Sequence, residues 1–188
     1  MGDRARLAGD PGIRQTGGVR YLTVVRHAKA VPAVPGGRDV DRVLAERGRD
    51  QCAVLRAWAS DPNSLGAYGP ATALVSSAAR TRETFALAFD GTDFVAHHEF
   101  SDLIYNGTRD VSAEDVLIDL AAIDPVTTSL LVVAHNPTVL ELVLGLARSA
   151  PRDLRHGHYP LAGAYVLSLP DDRPVGLAHY DVVGHFVP

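Results

Sequence analysis

Two histidines in this chain stand directly behind strand-like runs, His27 after YLTVVR and His135 after SLLVVA, more than a hundred residues apart. Arg26 precedes the first and Asn136-Pro137 follow the second. A third apolar run, Ala73–Val75, enters Ser76-Ser77-Ala78-Ala79-Arg80, which puts Arg80 in the first turn of the next helix. Guanidiniums offer forked donors matched to phosphate oxygens. A helix N-terminus beside Arg80 adds backbone N–H groups and the positive end of a dipole. In that field one imidazole can act as nucleophile and the other as donor to the same anion. Taken singly, a histidine after a strand is most often a loop residue, and an arginine most often a solvated charge. Four such residues at three strand ends point instead to one anion site.

They can meet only if the strands lie side by side, because ligands of open α/β sheets bind beyond the carboxyl ends of the strands. Apolar, β-branched runs predict buried strands at Tyr21–Val25 and Ser129–Ala134, with shorter ones at Ala73–Val75 and Phe94–Ala96. Late strands are expected near Ala164–Leu169 and Val175–Tyr180. Helices are expected over Val43–Ala59, with Gly48 a weak point, and over Ala79–Phe89, with Ser77 as a candidate N-cap. A Ser112/Asp115 capping arrangement introduces a helix to about Ala122, and Asn136 as N-cap with Pro137 as first helical residue starts one to about Arg148. This alternation predicts a three-layer α/β/α sandwich around a mostly parallel central sheet.

The 188 residues, 46% apolar and 21% charged, suit one domain with a real core. Residues 1–18 read as a disordered leader with no apolar core of a secretory signal, leaving a single domain over 19–188. A net charge of −4 with no basic run argues against nucleic-acid binding, and the only lysine is Lys29. No run approaches the ~18 apolar residues of a membrane helix. One cysteine, Cys52, excludes an internal disulfide and a Cys-rich zinc site, so a cytoplasmic location is expected. The adjacent His97-His98 would point to opposite faces of a strand, and His156 and His158 read as loop residues.

The motifs Arg26-His27-Ala28-Lys29, LVSSAARTRETF (Leu74 to Phe85) and VVAHNP (Val132 to Pro137), with RVLAERGRDQ (Arg42 to Gln51) between the first two, resemble the histidine phosphatase superfamily. The likeness runs from about Tyr21 to Gly145 and is greatest to the SixA-type phosphohistidine phosphatases. It implies a phosphoglycerate mutase-like fold. It also implies that His27 attacks phosphorus to form a phosphohistidine intermediate, which water hydrolyses. Arg26, Arg80 and His135 would hold the three non-bridging oxygens, with Ser77 and Asn136 as further substrate contacts. Arg26 and Arg80 should lower the pKa of His27, and a bound dianion should favour a protonated His135. The scheme requires neither metal nor cofactor.

Relatives acting on phosphate monoesters usually also carry a carboxylate that protonates the leaving alcohol. The corresponding segment, HHEFSDLIYNGTRD (His97 to Asp110), puts Tyr105 or Asn106 at that position, and neither is an acid. Glu99 and Asp102 are the candidate replacements, each equally readable as a solvated loop charge. General-acid help is commonly worth about 10²–10⁴-fold to an alkoxide and matters less to imidazole or carboxylate leaving groups. The expected substrate is therefore phosphohistidine on a protein. The alternatives are a phosphosugar, nucleotide or other small phosphorylated metabolite, or a non-catalytic phosphate-binding module.

Overall fold

The two most continuously apolar runs form the centre of the sheet. β1 (Arg20–Arg26) and β4 (Ser129–Ala134) lie parallel and in register, Tyr21 opposite Ser129 and Arg26 opposite Ala134. β4 is buried throughout and β1 from Leu22 to Val25, so neither has a solvent face to favour polar alternation. The computed structural model describes residues 20–107, 110–123, 129–149, 151–169, 175–176 and 179–188; the expected leader, 1–18, lies outside them. β2 (Ala71–Ser76) runs parallel to β4, and β3 (Val95–Ser101) parallel to β2. β5 (Ala164–Leu169) and β6 (Asp181–Phe186) are antiparallel, completing the six-stranded order β3-β2-β4-β1-β5-β6.

Alternate side chains of the central strands sort into two cores. Leu22, Val24, Leu130, Val132 and Ala134 pack with Val116 and Leu120 of α3 (Ala113–Ala121) and with Val139, Leu142, Val143 and Leu146 of α4 (Thr138–Leu146). Val25, Leu131 and Val133 pack with Cys52, Leu55 and Ala59 of α1 (Glu46–Ser60), with Phe85 and Ala88 of α2 (Ala79–Ala88), and with Phe89, which caps it. The fold is thus the three-layer arrangement expected, with α5 (Arg152–Arg155) contributing Leu154 to the first core. None of the described helices is long and apolar enough to cross a membrane.

Several boundaries differ from expectation. α1 begins at Glu46 because residues 43–45 are extended along the segment that carries His27. Val31 N–H donates to Val43 C=O at 3.0 Å and Ala45 N–H to Lys29 C=O at 2.9 Å. The N-cap of α2 is Ala78 rather than Ser77, and that of α4 is Pro137 rather than Asn136, neither with a side-chain cap. α4 stops at Leu146, where Tyr180 takes over its backbone bonds: Tyr180 N–H donates to Leu146 C=O at 2.8 Å and Arg148 N–H to Tyr180 C=O at 2.8 Å. Val175 and Tyr180 accordingly bury in the first core, and the last strand starts only at Asp181. The Ser112 capping box forms as expected, Ser112 Oγ accepting from Asp115 N–H at 3.2 Å and Asp115 Oδ2 from Ser112 N–H at 2.9 Å.

Candidate active site

Because β1, β2 and β4 are parallel, their carboxyl ends open on one edge of the sheet. The main chain fixes the register there: His27 N–H donates to Ala134 C=O and Arg26 N–H to Gly163 C=O, both at 3.1 Å. The rings of His27 and His135 come to 5.2 Å between centroids.

His27 Nδ1 lies 2.8 Å from the carbonyl oxygen of Ala28. A carbonyl oxygen only accepts, so the neutral ring carries its proton on Nδ1 and keeps the lone pair of Nε2. The carbonyl's own loop is tied to α2, since Ala28 N–H donates to Thr84 Oγ1 at 3.0 Å and Thr84 Oγ1–H to Arg80 C=O at 2.6 Å. Burial lowers the His27 pKa to about 4, against the opposing bond to Ala28, and Arg80, Arg26 and Arg42 add to the lowering. The direction is as expected, but desolvation outweighs the guanidinium charges.

Arg26 Nη1 donates to Tyr159 C=O at 2.6 Å, and its Nε is buried without a partner. Arg80, only 5% exposed, is gripped by Asp39 from the loop after β1. Its Nη1 donates to Asp39 C=O at 2.8 Å and its Nη2 to Asp39 Oδ2 at 2.9 Å. Tyr105 O–H donates to the same Oδ2 at 3.0 Å, and Arg42 Nη1 to Oδ1 at 2.8 Å. Partial burial acts upward on the Asp39 carboxyl, but the bond from Arg42, the charge of Arg80 and the bond from Tyr105 bring its pKa down to about 2. It is an ionised acceptor at neutral pH, with no proton to give.

His135 is 3% exposed, its Nε2 2.7 Å from Ser76 Oγ and its Nδ1 buried without a partner. Burial, followed by His27 and Arg80, lowers its pKa to about 2, so in the free site this ring is neutral. The protonation expected of His135 is therefore opposed by its own surroundings.

A cavity of about 260 Å³ lies over these groups, lined by Arg26, His27, Arg80, His135 and Asn136 together with Lys29, Ala30, Arg42, Asn106 and Leu161. None of these lining residues is a carboxylic acid. Of the candidate acids, Glu99 is exposed on β3 and Asp102 is exposed just beyond it, both outside the lining. Tyr105 turns its hydroxyl to Asp39, while Asn106 lines the cavity and its Nδ2 donates to Thr138 Oγ1 at 2.7 Å. Ser77 lies off the lining with Oγ buried and unpaired; Asn136 is on it, and its Oδ1 is likewise unpaired. Buried polar groups without partners are uncommon in folded proteins. Four of the five among the described residues belong to Arg26, Ser77, His135 and Asn136.

Asp39, Arg42, Ser76, Tyr159 and Leu161 were not singled out as site residues from the sequence. Arg42 opens the segment RVLAERGRDQ, but nothing in its type reveals that its Nη1 reaches Asp39 while its Nε and Nη2 donate to Val31 C=O. Tyr159 acts through its carbonyl oxygen, which no side-chain pattern reports. His97, His98, His156 and His158 are exposed, and among the described residues no group of three or more His, Cys, Asp or Glu is arranged to hold a metal ion.

No protein-family model matches the chain, and no curated protein matches it in sequence. Solved structures do. The candidate phosphohistidine phosphatase SixA of Nakamurella multipartitia is 26% identical, with a TM-score of 0.73 over 91% of this chain and 97% of that one. Its counterpart from Agrobacterium tumefaciens is also 26% identical, at a TM-score of 0.70 over 90% and 99%. A mycobacterial glucosyl-3-phosphoglycerate phosphatase shares the fold at 16% identity and a TM-score of 0.57, over 88% and 98%. Sheet order and layers are those of the phosphoglycerate mutase-like fold, and the solved structures this chain resembles are SixA phosphohistidine phosphatases and related phosphatases of the histidine phosphatase superfamily. The two structures that share 26% of their residues with this chain are both SixA-type.

Proposed function

We propose that the protein is a metal-independent phosphatase whose His27 takes the phosphoryl group from phosphohistidine on a protein. The supporting observation is the Nδ1 bond to Ala28, which leaves the lone pair of Nε2 beside Arg26, Arg80 and His135 over a cavity whose lining carries no carboxylate. Nε2 attacks phosphorus, and the P–N bond to the substrate imidazole breaks, its electron pair leaving with that ring. An imidazole whose distal nitrogen is protonated leaves neutral and needs no proton from the enzyme, whereas an alkoxide does. Water then attacks phosphorus, the bond to His27 breaks, and phosphate departs. Arg26, Arg80 and His135 stabilise the charge on the non-bridging oxygens, with Asn136 and Ser77 offering further polar groups.

The test is a panel of a phosphohistidine protein, an acyl phosphate, phosphosugars and p-nitrophenyl phosphate, run with and without chelator. The expected result is highest kcat/KM on the phosphohistidine protein, unchanged by chelator. A radiolabelled phosphodonor should mark the wild type and not His27→Ala. Comparable turnover of a phosphosugar overturns the substrate assignment. Full hydrolysis by His27→Ala overturns the nucleophile, and loss of activity on chelation overturns the metal-free scheme.

A further inference from the structure

The fully buried hydroxyl of Ser76, at the carboxyl end of β2, has one polar neighbour of its own, Nε2 of His135 at 2.7 Å. Two arrangements fit that distance: the ring donates to the hydroxyl, or the hydroxyl donates to the ring. In the first, the hydroxyl hydrogen of Ser76 is left without an acceptor among the described residues. A buried donor without an acceptor loses its hydration and gains nothing in return. In the second, the hydroxyl is satisfied, Nε2 is the acceptor, and the ring's single proton is on Nδ1. Nδ1 is itself buried and unpaired. The first arrangement therefore leaves two buried groups unsatisfied, the Ser76 hydroxyl hydrogen and the lone pair of Nδ1. The second leaves its one unpaired N–H on a ring that lines the cavity beside His27.

We propose that Ser76 is a positioning residue that selects the tautomer of His135, holding its proton on Nδ1 so that the neutral ring presents an N–H to an oxygen of the transferring phosphoryl group. This rests on the reading of the site as a phosphoryl-transfer centre. Tautomer control matters here because burial, His27 and Arg80 keep the His135 ring neutral in the free protein. A cationic ring would donate from both nitrogens, but a neutral one donates from one only. In the other tautomer, a bare nitrogen lone pair would face the phosphoryl oxygens. The assignment also accounts for the position of Ser76: Val75 pairs with Val133, so the next residue of β2 reaches the residues that end β4.

The decisive measurement is long-range ¹H–¹⁵N correlation NMR of histidine-labelled protein near pH 7, which reports the protonated ring nitrogen without turnover. Wild type should show His135 protonated on Nδ1 and bare on Nε2. Ser76→Ala should populate the other tautomer and lower kcat on the order of ten-fold with a smaller change in KM, within what loss of one transition-state donor costs. Ser76→Thr, which keeps a hydroxyl, should restore both. A wild-type ring protonated on Nε2 overturns the proposal, and this reading stands even if Ser76→Ala does not fold. So does Ser76→Ala with unchanged tautomer and unchanged kcat. Failure of the parent reading looks different: His27→Ala then retains turnover whatever the His135 tautomer.

Discussion

Three donors converge on the carboxylate of Asp39, from Arg80, Arg42 and Tyr105. Its negative charge beside a site that would hold an anion is at first sight unfavourable. Its compensation is geometric, because two of the five N–H donors of Arg80 are committed to Asp39, which fixes the plane of the fork. Replacing Asp39 with Asn separates the two effects. It removes a charge that repels phosphate, so KM for a phosphoryl substrate should stay level or fall. It also frees Arg80 to leave the geometry needed in the transition state, so kcat should drop on the order of ten-fold, as small misplacements in such sites do. Steady-state kinetics read the split directly. A raised KM with unchanged kcat would show that Asp39 serves binding and not the alignment of Arg80. The same residue illustrates what a sequence leaves unsaid. The chemistry-bearing types at 26, 27, 80 and 135 are legible because strand ends announce them, whereas Asp39 lies in a short 3-10 helix, Asp39–Asp41, and two of its three partners, Arg80 and Tyr105, come from distant segments.

At the scale of elements, Gly48 connects α1 to the loop that carries the nucleophile. A helix-internal glycine costs about 0.5–1 kcal/mol relative to alanine, so Gly48→Ala would ordinarily stabilise α1. Here a Cβ would lie 2.1 Å from the carbonyl oxygen of Lys29, so helix and loop would have to part. The loop is held at that spot by Ala45 N–H on Lys29 C=O, one residue beyond the Ala28 carbonyl that fixes the His27 tautomer. Gly48→Ala should therefore lower stability by about 1–3 kcal/mol, the range for overpacking, and lower kcat as well. Urea midpoints and kcat measured on one preparation check it; a more stable variant would remove the close approach from the account. The glycine was visible in the sequence as a flaw in a helix, but its reason is a contact across the fold. Other elements divide along similar lines. β1 and β4 could be read because burial on both faces demands unbroken apolar runs. β3, VAHHEFS, extends well beyond the expected Phe94–Ala96 because an edge strand with five exposed residues carries no such run. The last strand lies C-terminal to the expected Val175–Tyr180 because Val175 and Tyr180 serve the first core, while β6 itself alternates half-buried with exposed positions.

For the molecule as a whole, the site's demand for neutral imidazoles becomes a pH dependence of folding. His27 has its pKa lowered to about 4 and His135 to about 2, in both cases chiefly by burial. An unfolded chain would bind protons on both rings below pH about 6.5, the ordinary value for histidine. In the window from about 6.5 down to about 4 the unfolded state therefore holds more protons than the folded state, and stability falls as pH falls. This stabilisation is fully present above the ordinary value and is lost progressively below it. Each ring can contribute a slope of up to about 1.4 kcal/mol per pH unit, large against a total of roughly 5–15 kcal/mol for a domain. Asp39, brought down to about 2 by its three donors, adds to the loss only at lower pH, below the ordinary carboxylate range. The expected outcome is that urea-unfolding free energy of wild type drops between pH 7 and pH 5, and that His27→Asn, which cannot take up that proton, drops by about 2 kcal/mol less. The comparison uses the slope with pH, so any constant effect of the substitution cancels. Equal slopes in the two proteins would show that the folded site accepts a proton on His27 as readily as water does, and would remove the basis for a neutral nucleophile at acid pH.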